Sequence, residues 1–317
     1  MEQFCNRYQK LIKGENGGFL AEYNVARSLS ETHPSYLTRF TKVTSEVARR
    51  NRYSNVLTFE DTRVKLLSLK PGDCDYVNAS FVRYGDGPKT IVAQGPMKNT
   101  AEHFWRMCCE QDVPLIIMLT DFEEEQTLGF MREKCFRYFA LEVGQKVQFG
   151  AFTITCLSIS EVCPGWTERT LQLSMPSRSI VREVHHVHCY NWTDFGALCE
   201  DQLEGLRRSL QVVQSVRASA ERGPIAVHCS AGIGRSGTFV AIDNILHHAQ
   251  AGKWDAVDPL KVVSTLRDQR PLMVQTPDQY RMIYEASLFF LGCDVYKEIQ
   301  GMDKGVAQEE NFVDQKE

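Results

Sequence analysis

One short stretch constrains this chain more than any other: Ile225-Ala-Val-His-Cys-Ser-Ala-Gly-Ile-Gly-Arg-Ser-Gly-Thr-Phe239. An apolar run of strand type, Ile225–His228, meets a glycine-rich turn, and the turn feeds a helical pattern from about Ser236 to His248. Gly232 and Gly234 let the backbone fold back so that successive N–H groups point inward, which makes a nest for an anion. The following helix adds its unpaired N–H groups and the positive end of its dipole at the same place. Arg235 can offer a two-pronged donor to two phosphate oxygens. Cys229, at the strand end, faces this concentrated positive potential, which favours a thiolate. A phosphate cradle with a thiolate at its floor is a site for phosphoryl transfer.

Spacing alone would not carry that conclusion. Cys163 and Arg169 repeat the Cys-x5-Arg interval, but no strand pattern precedes them and no glycine-rich helix entry follows, so that pair reads as structural. Gly232-x-Gly234-x-x-Gly237 also has the form of a dinucleotide fingerprint. That reading requires a second parallel strand ending in an acid about 20 residues on, and Asp243–Gln250 reads as helix instead.

Composition narrows the setting. With 317 residues and 43% hydrophobic side chains the chain can bury a sizeable core. Its net charge of −4 provides no basic field for nucleic acid or an anionic membrane. The 11 cysteines are odd in number and contain no Cys-x-x-Cys pair, which fits neither a disulfide scaffold nor a zinc ribbon. The N-terminus lacks the apolar run of a signal peptide. The longest apolar stretch, Pro114–Leu119, is far short of the roughly 20 residues that span a bilayer. A soluble, cytoplasmic protein with free thiols and no intrinsic membrane span is the expectation.

Residues 1–24 read as an extension, helical and then loose at Gly14–Gly18. Residues 294–317 carry seven acids against three lysines, a net −4, and read as a solvated tail. Between them, 25–293 form one unit. Strands are expected at Tyr76–Val82, Thr90–Ala93, Pro114–Thr120, Val147–Ser158, Trp166–Leu173 and Ile180–His188. Helices are expected at Thr100–Glu110 with Asn99 as N-cap, at Glu200–Ser219 with Leu203, Leu206, Leu210 and Val213 on one face, and at about 258–269 and 277–291. This describes a single mixed α/β domain.

Residues 228–237 also resemble the signature of the protein tyrosine phosphatase family, in its large phosphotyrosine-specific class. The resemblance continues through Asn51-Arg-Tyr53, Asp75-Tyr-Val-Asn-Ala-Ser80, Gln94-Gly-Pro96, Phe104-Trp105, Lys134-Cys-x-x-Tyr138, Trp192-Thr-Asp194-Phe-Gly196 and Gln269-Arg-x-x-Met-Val-Gln-Thr-x-x-Gln-Tyr280, in that order. It implies a highly twisted mixed sheet flanked by helices, and hydrolysis of phosphotyrosine in proteins by way of a cysteinyl-phosphate. On that resemblance Cys229 is the nucleophile, and Arg235 with the N–H groups of Ser230, Ala231, Gly232, Ile233 and Gly234 holds the phosphate oxygens. Ser236 donates to the departing sulfur, and His228 supports the loop. Asp194 is general acid and then base, and Gln275 orients the water. Tyr53 walls a pocket deep enough for phosphotyrosine, and Asn55 and Gln279 contact substrate. Thr276-Pro-Asp-Gln279 is equally a capping box, so Gln279 has a structural reading too.

Three departures stand out. Thr193 replaces the proline of the family's acid loop, Asn55 stands where an aspartate is common, and Phe139-Ala140 replaces Trp-Pro. They leave two functions open, an active phosphatase or a weakly active domain that binds phosphotyrosine proteins as a scaffold. Neither needs a metal or organic cofactor. The histidines of His185-His186-Val-His188 lack a further matched ligand and read as structural.

Overall fold

Five consecutive apolar residues, Leu115–Leu119 (β4), are all buried because their strand is covered on both faces. Beside it lies Ile225–His228 (β11), near the middle of a sheet that has nine strands among the described residues. The computed structural model describes residues 1–67, 73–125, 129–192, 200–219 and 223–293. Thr193, Asp194 and the acidic tail 294–317 fall outside them.

From one edge the sheet runs Arg63–Lys65 (β1), Tyr76–Val82 (β2), Thr90–Ala93 (β3), β11, β4, Ile180–Cys189 (β10), Trp166–Met175 (β9), Phe152–Cys163 (β8) and Lys146–Phe149 (β7). The central strands β3, β11, β4 and β10 are mutually parallel, and antiparallel pairs flank them. Alternate residues enter opposite core layers. Leu115, Ile117, Leu119, Ile225 and Val227 pack under the helices Gly234–Gln250 (α6), Pro259–Arg267 (α7) and Pro277–Phe290 (α8). Ile116, Met118 and Ala226 face the other way, against Phe104 and Trp105 of Ala101–Glu110 (α4). Glu200–Ser219 (α5) buries Leu203, Leu206, Leu210 and Val213, as its spacing predicts. The mixed, twisted sheet flanked by helices is the fold class expected.

The N-terminal residues are part of this body. Glu2–Ile12 (α1) presents Phe4, Tyr8 and Leu11 at helical spacing, and all three join the same core as α6 and α8. Each such side chain contributes about 1.5–3 kcal/mol by leaving water, which holds a helix too short to persist alone. Gly18–Glu31 (α2) follows after one tight turn, and Ser45–Arg49 (α3) precedes the site.

Local details differ from expectation for identifiable reasons. The single strand expected over Val147–Ser158 is a hairpin, because Gly150 adopts φ +57° and pairs Phe149 with Phe152. Its second strand, β8, runs on to Cys163, so a strand does precede the second Cys-x5-Arg segment. Asn99 does not cap α4: Thr100 holds that position without a side-chain cap, and Asn99 Nδ2 donates to Arg49 O at 2.8 Å. α6 begins two residues earlier than expected. A small hairpin of Glu123–Glu125 (β5) and Met131–Glu133 (β6) and the short β1 carried too few apolar residues to be read.

Candidate active site

β11 ends where its neighbours β3 and β4 also end, and the chain turns directly into α6. Ligands of open α/β sheets gather at the carboxyl ends of such strands. Gly232 has φ +70°, and a Cβ there would fall 2.1 Å from Ala93 O, so only glycine permits this turn. Gly232 N donates to Cys229 Sγ at 3.2 Å. Ile233 gives α6 no side-chain cap, whereas Asp258 caps α7 and Thr276 caps α8. Of these three termini, the one left without a side-chain cap is the one beside the thiol, where an anion can take that role.

Arg270, fully buried, fixes the direction of the loop. Its guanidinium donates to Gly232 O at 2.7 Å and Ala231 O at 3.2 Å, and it is anchored to Asn78 Oδ1 at 2.8 Å and Ser80 Oγ at 3.3 Å. With those carbonyls held outward, the peptide N–H groups on the same units are turned inward. Burial draws the Arg270 pKa down to about 10, which leaves it cationic at neutral pH.

Behind the loop, His228 Nδ1 lies 3.1 Å from Cys229 O, an acceptor, so the proton belongs on Nδ1. His228 Nε2 then accepts from the Tyr138 hydroxyl at 2.7 Å, and the Tyr138 oxygen accepts from His186 Nε2 at 2.8 Å. Burial lowers the pKa of His228 to about 4 and pushes His186 well down, so both rings are neutral at pH 7. His188 Nε2 is engaged with Thr120 O at 3.0 Å. These histidines are tied into the core rather than turned toward a shared ligand, and among the described residues no group of three His, Cys, Asp or Glu side chains is placed to hold a metal ion.

Arg235 is 1% exposed and is held from the side. Its Nη1 donates to Glu124 Oε1 at 2.6 Å and Trp192 O at 2.7 Å, and its Nη2 to Glu124 Oε2 at 3.2 Å. A two-oxygen grip of this kind fixes the plane of the guanidinium. Lys134 Nζ approaches the same carboxylate at 3.2 Å. Glu124 was not foreseen: in Glu123-Glu124-Glu125 it resembles part of a solvated charge run, and only strand alternation in β5 turns it inward.

The site opens into a cavity of about 610 Å³ lined by Tyr53, Asn55, Cys229, Ser230, Gln275 and Arg267, among others. Ala231, Ile233 and Gly234 also border it. Tyr53 is half-buried, and its hydroxyl pairs with Ser230 Oγ at 2.9 Å. Ser230 Oγ also donates to Lys134 O at 2.9 Å, which joins the Tyr53 wall to the loop. Asn55 is exposed at the rim. A Cβ on Gly234 would lie 2.9 Å from Gln279 Nε2 and 3.1 Å from Gln275 Oε1, so both glutamines converge on the loop. Gln279 also serves its helix: its N donates to Thr276 Oγ1 at 3.2 Å, and its Oε1 accepts from Gln275 N at 2.8 Å. Ser236 is buried with its hydroxyl unpartnered among the described residues, and no bond to Cys229 Sγ is made. Arg267 and Tyr23 were not foreseen as neighbours. Tyr23 donates to Gln275 O at 2.7 Å and reaches it from α2, more than 200 residues earlier in the chain.

The family model for protein-tyrosine phosphatase matches residues 47–289. Tyrosine-protein phosphatase 69D of Drosophila melanogaster is 35% identical over 292 residues, covering 89% of this chain and 19% of that protein. Tyrosine-protein phosphatase non-receptor type 9 of Homo sapiens is 36% identical over 256 residues, covering 76% of this chain and 41% of that protein. The chain therefore spans from about a fifth to two fifths of the length of these relatives. A solved structure, PTPN18 in complex with HER2-pY1196 phosphopeptides, superposes with a TM-score of 0.80 at 28% identity, covering 91% of this chain and 98% of that one.

Proposed function

The chain belongs to the protein-tyrosine phosphatase family, and from that premise we propose that it hydrolyses phosphotyrosine in proteins through a phosphate ester on Cys229. The observation that carries the proposal is the position of Cys229 Sγ: it borders the cavity and already accepts an N–H bond from the loop that would receive the phosphate.

In the first step the Cys229 sulfur attacks phosphorus and the bond to the tyrosyl oxygen breaks. The departing oxygen takes a proton from Asp194, a role resting on the resemblance since Asp194 lies outside the described residues. The loop N–H groups and the α6 terminus hold the phosphoryl oxygens as charge shifts among them, and Arg235 supplies the cationic partner. In the second step water oriented by Gln275 attacks the cysteinyl-phosphate, and phosphate leaves with the thiolate restored. Overall, phosphotyrosine and water give tyrosine and phosphate. Ser236, with a buried and unspent hydroxyl, has the chemistry to donate to the sulfur as it departs.

Selectivity would come from depth. The Tyr53 wall supports a site in which an aryl phosphate reaches Cys229 and a short seryl phosphate does not. The exposed Asn55 would contact the peptide as an amide, which accepts main-chain hydrogen bonds more weakly than a carboxylate. Its partners on this reading are phosphotyrosine proteins, and its setting is the cytoplasm. Among the described residues no helix is long and apolar enough to cross a membrane.

Matched phosphotyrosine and phosphoserine peptides test the reading. Release of phosphate from the first alone is the expected result. Binding of the phosphotyrosine peptide by reduced protein without any turnover would replace the enzyme with a scaffold.

A further inference from the structure

One pair of thiols lies apart from the site. Cys5 on α1 and Cys293 just beyond α8 are 288 positions apart in sequence, yet their sulfurs are 2.6 Å apart. Both are buried, and neither belongs to the machinery described above. A covalent S–S bond is about 2.05 Å long, so the sulfurs need to close by only about half an ångström.

Each cysteine is carried on a firm frame. α1 lies on α8 through Phe4, whose ring stacks on Tyr284 at 5.2 Å, and through the Tyr8 hydroxyl, which donates to Glu285 Oε1 at 3.1 Å. At the other side, Gly292 has φ +69°, Gly292 N donates to Phe289 O at 3.1 Å and Cys293 N to Leu288 O at 3.0 Å. Those two bonds form the reversing turn that ends many helices with a left-handed glycine. The turn folds Cys293 back onto its own helix, facing α1.

We propose that Cys5 and Cys293 form a reversible disulfide that staples α1 to the end of α8, with a peroxide as oxidant. One sulfur attacks hydrogen peroxide, the O–O bond breaks, and a sulfenic acid forms as water leaves. The second sulfur attacks that sulfenic sulfur, the S–O bond breaks, and a second water departs. Two thiols and one peroxide become one disulfide and two waters; the sulfurs are oxidised and the peroxide oxygens are reduced. Burial, and next the adjoining Cys293, push the Cys5 thiol up to about 12, so closure at neutral pH is slow beside that of an exposed thiolate. The staple would close nearly the whole chain into a loop, the case in which a cross-link restrains the unfolded state most.

The test uses the full chain carrying Cys229→Ser, which removes the competing nucleophile, treated with hydrogen peroxide and then mapped by peptide mass spectrometry. A Cys5–Cys293 cross-linked peptide is expected, together with a melting temperature raised by on the order of 5–15 °C. Dithiothreitol should reverse both. Adding Cys5→Ser or, separately, Cys293→Ser should abolish the shift. Either variant suffices if the other fails to fold. Absence of the cross-link, a cross-link without the thermal shift, or an equal shift in the serine variants overturns the proposal. None of these readouts depends on catalysis, so they are independent of the phosphatase reading.

Discussion

The chain contains the interval Cys-x5-Arg twice in folded surroundings, and the two copies behave oppositely. Cys229 leaves a buried strand for a loop whose carbonyls Arg270 ties outward, and Arg235 lies in the first turn of a helix that no side chain caps. Cys163 ends β8 at a hairpin, where Gly165 (φ +85°) returns the chain into β9, and Cys163 faces Trp166 across the ladder. There the backbone groups pair along the β8–β9 ladder, and among the described residues no N–H donates to the Cys163 sulfur. Burial, then Glu204 and Glu161, raise the Cys163 pKa. Arg169 lies over the Phe139 ring at 5.2 Å, with Nε and Nη1 unpartnered among the described residues. The residue interval is shared; the direction of the peptide groups is what differs.

Exchanging serine for each cysteine should break the comparison most sharply. Cys229→Ser is expected to lower kcat for an aryl phosphate by about 10⁴-fold or more, while Cys163→Ser keeps the wild-type rate. Next come the arginines. Arg235→Ala should cost about 10²–10³ in kcat. Arg169→Met should leave kcat alone and leave the melting temperature equal or higher, because burial of a poorly satisfied guanidinium is a cost.

Arg270→Met probes the backbone direction itself. Removing the cation strands the carbonyls of Gly232 and Ala231, at about 1–3 kcal/mol of stability for each such group. Denaturant titration should register that loss, and affinity for inorganic phosphate should fall with it. The last prediction concerns a single proton, on His228. Its folded pKa, about 4, lies below the ordinary 6.5 because the ring is buried. The unfolded chain therefore binds the proton more readily, so this stabilisation is complete above about pH 6.5 and is lost as pH falls toward 4. The slope is about 1.4 kcal/mol per pH unit within that window. Ring-proton resonances of His228 should stay in the neutral position at pH 5.5; titration near 6.5 would contradict the Tyr138 bridge.

Much of the fold was legible because the central strands are covered on both faces and appear as unbroken apolar runs, as in Leu115–Leu119. The anion loop was legible because its glycines, strand and helix entry are adjacent in sequence. What escaped depends on contacts between distant segments. Glu124 reaches Arg235 across 111 positions, and Tyr138 lies 90 from His228. Nothing in a local pattern marks either pairing. Val147–Ser158 was read as one strand because Gly150 interrupts an alternation that continues on both sides of it. For Gln279 the two readings were both physical: its backbone N–H bonds the Thr276 cap, while its side chain accepts from Gln275 N, one residue before that cap, and faces Gly234.

The most direct test of the account is to quench the 317-residue chain during turnover of a small aryl phosphate and locate the phosphoryl group by peptide mass spectrometry. The account predicts a phosphoryl adduct on Cys229 that disappears in Cys229→Ser. Steady turnover with no adduct on Cys229, or an adduct on another residue that persists in the serine variant, would contradict it.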